Sequence, residues 1–391
     1  MGIKNEWETV KLKDIIKIEK NSVLPNNLNG EDIYLGLDDI EKDTGIIKSL
    51  KYVKECDVKS NKFKFTSNHI LYGKLRPNLN KVALPNFNGI CSTDIFPIII
   101  QEGKTVKEYI YHILHGQDFV KYASSRTNGA NLPRVNSNTI LDYEILLPPL
   151  ETQKQIAKKL DTAAELIAMR KRQLTELDNL IKSTFYDMFG DPVENEKGWL
   201  VSPLREELNV KHGFAFQGEY FSNEGEYILL TPGNFYEEGG YRNRGDKQKY
   251  YRGKIPQEYI LNKDDLLIAM TEQAPGLLGS PLIVPESNKF LHNQRLGLIV
   301  LKKYDISKLY IFHLFNHQNI RKLIHLQATG TKVRHTSPKK IENLMVPLPP
   351  TELQTHFANV VTKIEEKKAL VKKAIDETQY LFDSLMSEYF E

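Results

Sequence analysis

Cysteine is almost missing: Cys56 and Cys91, both in the first half, are the only two in 391 residues. That argues against a disulfide framework and a cysteine-built zinc site. Long apolar runs are missing as well. Nothing approaches the roughly eighteen apolar residues of a membrane span, and the first thirty residues are peppered with charge, so neither a span nor a secretory signal is expected and a cytoplasmic location is. No glycine-rich phosphate or cofactor loop follows a predicted strand; Thr329-Gly330-Thr331-Lys332 has the wrong length and no strand before it. The ten histidines lack metal-ligand spacing. His313 and His317 are four apart, but Phe312, Leu314 and Phe315 crowd them and no carboxylate stands between. The two Pro-Pro pairs occur as Leu-Pro-Pro-Leu and Leu-Pro-Pro-Thr, without the Asn or Asp before and the aromatic after with which an amino-methyltransferase holds its base. A magnesium nuclease needs carboxylates clustered beside a lysine, and Asp57-Val58-Lys59 downstream of Asp38-Asp39 is the nearest approach. The expectation is a chain with no catalytic centre, no metal and no cofactor of its own.

What is present is a duplication. Residues 140–160 return 201 positions later as 341–361, and the same offset matches Gly129 to Gly330, Leu147-Pro148-Pro149 to Leu348-Pro349-Pro350, Gln153 to Gln354, Leu180 to Leu381, Ser183 to Ser384 and Phe189 to Phe390. Trp7 matches Trp199 at an offset of 192, so the second half takes up about nine more residues before the register settles. Two similar units in one polypeptide suit the reading of a two-part target.

Each half divides into a mixed segment and a helical one. The mixed segments carry strand-like runs at 95–100, 266–269 and 296–301, turn signals such as Asn88-Gly89 and Glu238-Gly239-Gly240, and amphipathic patterns over 105–122 and 304–325. After each Pro-Pro pair about forty residues run without a breaker. A heptad template there takes Ile156, Leu160, Ala163, Ile167, Arg170, Leu174, Leu177, Ile181, Thr184 and Met188, and again Phe357, Val361, Ile364, Lys368, Val371, Ile375, Thr378, Phe382, Leu385 and Tyr389. The expected fold class is α+β: two globules, 1–150 and 191–350, joined by helices 151–190 and 351–391 that pair antiparallel as a coiled coil in a pseudo-twofold arrangement. At about 1.5 Å per residue the first helix makes a rod of roughly 55 Å, which holds two readers about one duplex turn or slightly more apart.

The net charge of +3 is small, but its distribution is not even. No acid lies between Asp57 and Asp94, where Lys59, Lys62, Lys64, Lys74, Arg76 and Lys81 fall, and none between Asp305 and Glu342, where Lys308, Arg321, Lys322, Lys332, Arg334, Lys339 and Lys340 fall. The stretch Tyr241–Lys254 interleaves bases with Tyr241, Tyr250 and Tyr251, against Asp246 alone. Acid-free basic stretches with aromatics suit a phosphate-facing surface.

Taken in order, 70–98 with Arg126-Thr127-Asn128-Gly129 and the Leu-Pro-Pro junction, then Phe189–Trp199, 265–286, 292–299 and the second junction, the chain resembles the specificity (S) subunit of type I restriction-modification systems over essentially its whole length. The resemblance implies two target-recognition domains on two spacer helices, double-stranded DNA as ligand, and two modification (methyltransferase) subunits and restriction subunits as partners. S-adenosylmethionine would then belong to the modification subunits and ATP with Mg to the restriction subunits, with none in this chain. Arg and Lys read guanine edges, Asn and Gln adenine edges, and Ser or Thr either. Candidate DNA contacts are therefore Lys74, Arg76, Asn78, Lys81, Ser92, Thr93, Asp94, Arg126, Asn128 and Arg134 in the first globule. In the second they are Thr271, Gln273, Gln294, Arg295, Lys332, Arg334 and His335, with Tyr241, Arg242 and Arg244 on an adjacent loop. Other roles stay open for some: Thr93-Asp94 capping a turn, Asn293-Gln294 holding backbone. A non-catalytic assembly scaffold and a self-contained nuclease are the competing readings.

Overall fold

The computed structural model describes residues 7–129, 131–273, 275–302 and 306–390. Two compact units emerge, residues 1–172 with 372–391 and residues 173–371. The division passes through two forty-residue helices, Leu150–Phe189 and Thr351–Phe390, so each unit holds the start of one and the end of the other. Both helices begin directly after a Pro-Pro pair with a glutamate, Glu151 or Glu352, in the first turn, where it complements the helix dipole. The first ends at Gly190, whose φ of +74 suits the left-handed stop before Asp191-Pro192.

In the first unit an antiparallel sheet runs in the order Ile16–Ile18, Ile95–Ile100, Ile70–Gly73, Val82–Ala83. A second sheet, ordered Ser22–Val23, Lys62–Phe65, Gly89–Cys91, Ile33–Leu35, Lys51–Tyr52, contains one parallel pair, Ile33–Leu35 with Gly89–Cys91. Glu8–Lys11 pairs with Glu144–Leu147, which ties the start of the chain to the strand that leads into the first long helix. The second unit repeats this plan. Its antiparallel sheet is Leu208–His212, Leu296–Leu301, Leu266–Ala269, Pro281–Ile283, and its mixed sheet is Phe221–Ser222, Tyr250–Tyr251, Tyr227–Leu229, Phe290–Leu291, again with one parallel pair. Ladder registers place Ile16 in correspondence with Leu208, Leu75 with Thr271 and Ile95 with Leu296, so the offset grows from 192 through 196 to 201. The extra length is spread over several loops, one of which carries the strand Phe221–Ser222.

The continuous helices expected over 105–122 and 304–325 are each two helices: Lys107–His115 and Gln117–Ser124, then Lys308–Asn316 and Gln318–Leu326. Residues 304 and 305 lie outside the described residues. The breaks fall at Gly116 and His317, which adopt extended backbone, and the His317 side chain accepts the Asn319 amide to start the next helix. Apolar periodicity carries across such a break, because both helices bury the same side.

Two fastenings recur at the 201 offset. Tyr109 donates its hydroxyl to the Leu146 carbonyl at 2.9 Å and Tyr310 to Pro347 at 2.8 Å. Gln153 is buried in the first turn of its helix, accepting from Thr105 Oγ1 (2.8 Å) and the Val106 amide (3.2 Å) while donating to Pro148 (2.8 Å) and Lys104 (3.3 Å). Gln354 likewise accepts from the Ser307 amide at 3.0 Å and donates to Pro349 at 2.8 Å. A glutamine amide has both donors and acceptors, so one side chain can fasten the junction after the prolines to the helix beside it.

Within each unit the helix segments pair antiparallel. In the first, Lys159 Nζ meets Tyr389 Oη at 3.0 Å and Arg170 Nη1 meets the Ala374 carbonyl at 2.6 Å, rising numbers against falling ones. In the second, Lys368 Nζ lies 2.6 Å from Asp178, and the Phe189 and Phe357 rings are 5.3 Å apart. All twenty heptad positions are buried or half-buried, whereas most of their neighbours on the helices are exposed. Template residues also close the unit cores: Ile156 and Leu160 with Phe382, Leu385 and Tyr389 in the first, and Ile181 with Phe357, Val361 and Ile364 in the second, where Phe185 and Phe189 join them from outside the template. A globule is thus covered by its own helix and by the end of the other, at about 1.5–3 kcal/mol per large apolar side chain.

Candidate nucleic-acid interface

In the first unit the strand Ile70–Gly73 runs on past its sheet as Lys74–Arg76 and lies along the hairpin Thr127–Asn128/Arg134–Val135. The Val135 amide donates to the Lys74 carbonyl at 3.0 Å and the Arg76 amide to Pro133 at 2.7 Å. The hairpin can turn because Gly129 takes φ +97. A third segment joins through the Lys74 amide, which donates to the Asp94 carbonyl at 2.9 Å. Lys74, Arg76, Ser92, Thr93, Asp94, Asn128 and Arg134 are thereby brought to one lip.

Asp94 organises this lip. Its carboxylate accepts Arg134 Nε at 2.9 Å and Nη2 at 3.5 Å and stands 4.0 Å from Lys74 Nζ. The Lys74 ammonium is also 5.2 Å from the Phe96 ring centre, and burial holds it below the usual lysine range with Asp94 opposing. The Asp94 amide donates to Ser92 Oγ at 3.2 Å, so Ser92 is the residue that caps the turn. Arg76 is exposed at φ +51, and its guanidinium has no ion pair among the described residues. Asn78 and Asn128 are exposed too. Arg126 stacks on Tyr122 at 4.0 Å and bonds the Ser125 hydroxyl at the foot of the hairpin.

In the second unit Thr271–Glu272 pairs with Arg334–His335, the Thr336 amide donates to Met270, and the Met270 amide to the Arg295 carbonyl, both at 2.9 Å. The backbone scheme is the same as in the first unit. The side chains are not. Met270 stands in the place of Lys74, Glu272 of Arg76, Arg295 of Asp94 and His335 of Arg134. Glu272 is buried: Oε2 accepts the amides of Gly276, Leu277 and Leu278 at 3.1, 3.1 and 2.9 Å, and Oε1 lies 2.9 Å from His325 Nδ1. Thr271, Gln273, Arg295, Lys332 and His335 reach solvent at this lip or beside it, and Arg334 is half-buried with Nη1 on the His325 carbonyl. Sequence reasoning misses Glu272 and His325. The only signal is a lone acid before Gly276-Leu277-Leu278, and its meaning depends on three amides converging.

Some candidates are held elsewhere. Lys81 donates to the Leu37 carbonyl at 2.8 Å with its side chain largely covered, so it fixes a loop and leaves the contact set. Tyr241 packs on Phe290 and Arg244 lies over Gly233, on a loop that shares no hydrogen bond with the lip among the described residues; Arg242 on that loop is exposed. Gln294 is half-buried with its backbone N–H donating to the Phe214 carbonyl, while Asn293 Oδ1 accepts the Arg295 amide at 3.0 Å and holds that turn. Asp39 is buried under the Gly36 amide and Lys51, and Asp57 pairs with Lys59 on the surface, so these acids form no metal-binding group. No group of three or more His, Cys, Asp or Glu able to hold a metal comes together among the described residues. None of their helices is long and apolar enough to cross a membrane.

Comparison with known proteins accords with this paired plan. The chain is 23% identical over 405 residues to the type I restriction enzyme MjaVIII specificity subunit of Methanocaldococcus jannaschii, an alignment covering 99% of this chain and 92% of that one. It is 26% identical over 192 residues to the EcoDI specificity subunit of Escherichia coli, covering 48% and 42%. The S subunit of a type I restriction-modification system from M. genitalium has the same fold at a TM-score of 0.61 and 15% identity, over 100% of this chain and 98% of that one. The family model described as the type I restriction modification DNA specificity domain matches twice, over residues 4–179 and 196–379, once for each repeat, and the chain belongs to that family.

Proposed function

We propose that this chain is the sequence-reading subunit of a type I restriction-modification complex and has no catalytic centre of its own. Each recognition domain reads one half of a bipartite, asymmetric site in double-stranded DNA, and the paired helices set the spacing between halves. The helices also dock two modification subunits, which bring S-adenosylmethionine; restriction subunits, where they join, bring ATP and Mg. The whole would work in the cytoplasm.

The observation that carries this reading is the pair of lips, built on one backbone scheme yet lined by different polar side chains. A target with two unlike halves calls for such readers, because base edges are discriminated by donor and acceptor pattern while the scaffold only positions it. The test is methylome sequencing of the host with and without this chain. Loss of a bipartite adenine-methylation motif is the expected result, and an unchanged methylome refutes the proposal.

A further inference from the structure

Given the DNA-reading function, on which this inference rests, the exchange of charges between the two lips bears on how each half-site is read. A guanidinium recognises guanine O6 and N7 with two parallel N–H groups, and the same fork serves a carboxylate. Arg134 has given its Nε/Nη2 edge to Asp94, at 2.9 and 3.5 Å, and turns Nη1 toward the Leu132 carbonyl at 3.4 Å. One N–H remains on each of Nη1 and Nη2, so the carboxylate fixes the guanidinium from the side and leaves its end-on edge to fork a base. Arg76 carries no such partner, and the hydrogen bond from its amide to Pro133 fixes the direction from which its side chain leaves. In the second unit the residue in the place of Asp94 is Arg295, exposed and without an ion pair among the described residues, and the acid in the place of Arg76 is turned inward onto three amides and His325.

We propose that Asp94 is a positioning residue that sets the specificity of the first half-site. It holds Arg134 by the Nε/Nη2 edge so that the Nη1/Nη2 edge is presented as the forked reader, and it keeps Lys74 from competing for base edges. Without that carboxylate, the second lip reads through Arg295. Asp94 thus suppresses indiscriminate phosphate binding at the first lip, a repulsive element of specificity.

The test uses the full chain assembled with its modification subunits, and duplexes bearing the intact bipartite site, a change in either half, or random sequence. Asp94→Asn should raise affinity for random duplex and steepen the salt dependence by about one phosphate contact. It should also lower discrimination at the first half roughly tenfold, leave the second half unchanged, and be rescued by Asp94→Glu. Loss of discrimination at both halves alike, or no change in a folded variant, overturns the proposal. Should Asp94→Asn not fold, lysine substitutions decide, since lysine keeps the charge without the fork. Arg134→Lys should relax the first half and Arg295→Lys the second; a first half left unrelaxed by Arg134→Lys in a folded complex overturns it. Absence of any sequence preference in the wild-type complex would instead refute the DNA-reading function itself.

Discussion

Gln153 offers the sharpest test of how each globule is joined to its long helix. Its side chain is buried, and four partners converge on it: Thr105 Oγ1, the Val106 amide, and the carbonyls of Pro148 and Lys104. Gln153→Ala leaves two donors and two acceptors to be resatisfied, at about 1–3 kcal/mol for each that stays unmatched. The Thr105 hydroxyl can rotate to another acceptor, and the smaller side chain leaves room for a water at a polar site. A net loss of about 3–5 kcal/mol is therefore expected, not the full sum. Gln153→Glu keeps the shape but sets an acceptor against the Pro148 and Lys104 carbonyls, so it should destabilise at least as much. Because the chain has two units, global denaturation need not be two-state; hydrogen exchange over Lys107–His115 and the first turns of Leu150–Phe189 reports the loss locally. Gln354→Ala should act in the same direction at Lys308–Asn316. Unchanged exchange together with a stability within about 0.5 kcal/mol of wild type would refute the reasoning.

Ile167→Asp puts a carboxylate at a buried seam position, so it should destabilise by about 3 kcal/mol or more; Ile375→Asp, at a half-buried one, should cost less, with urea titration ranking the two. Arg170 bonds the Ala374 carbonyl and Thr378, whereas the repeat-equivalent positions hold Val371 and Leu177. A first helix pairing with another first helix would set Arg170 against Leu177, so Arg170→Val with Thr378→Leu should fold yet raise co-capture of tagged and untagged chains after mixed refolding; equal co-capture would deny the pair a role in partner choice. Burial lowers His115 and His292 to about 4 and His313 to about 3. The unfolded state takes up protons near pH 6.5, so stability is full above that and falls as the pH drops toward 4, by on the order of 3 kcal/mol per residue. Thermal melts between pH 7 and 4 test this, and His292→Gln should flatten the decline.

The duplication made the helices legible: forty residues without a breaker after each Pro-Pro pair, and a seam that could be numbered from heptads alone. The strands Ile95–Ile100, Leu266–Ala269 and Leu296–Leu301 were legible as short apolar runs. The breaks at Gly116 and His317 were not, because periodicity records which side is buried and not whether the backbone is continuous. The matched Gln153 and Gln354 were visible as a repeat but not as fasteners, since apart from the nearby proline carbonyls their partners lie some fifty residues upstream.

The lips show the same limit more strongly. Composition marked acid-free basic tracts, and Lys74, Arg76 and Arg134 do converge, yet the residue that decides what they can touch is Asp94, the acid that ends the first tract. In the second half, Lys74, Arg76, Asp94 and Arg134 become Met270, Glu272, Arg295 and His335. A search of the repeat for matching residues passes over these positions, because they match in backbone and differ in chemistry. That combination is what duplication leaves when one copy of a reader is kept as scaffold and free to change its target: the hydrogen bonds between segments fix where four side chains stand, and nothing in the fold fixes which four. Divergence at these positions within matching backbone is therefore a better pointer to specificity than similarity between the halves.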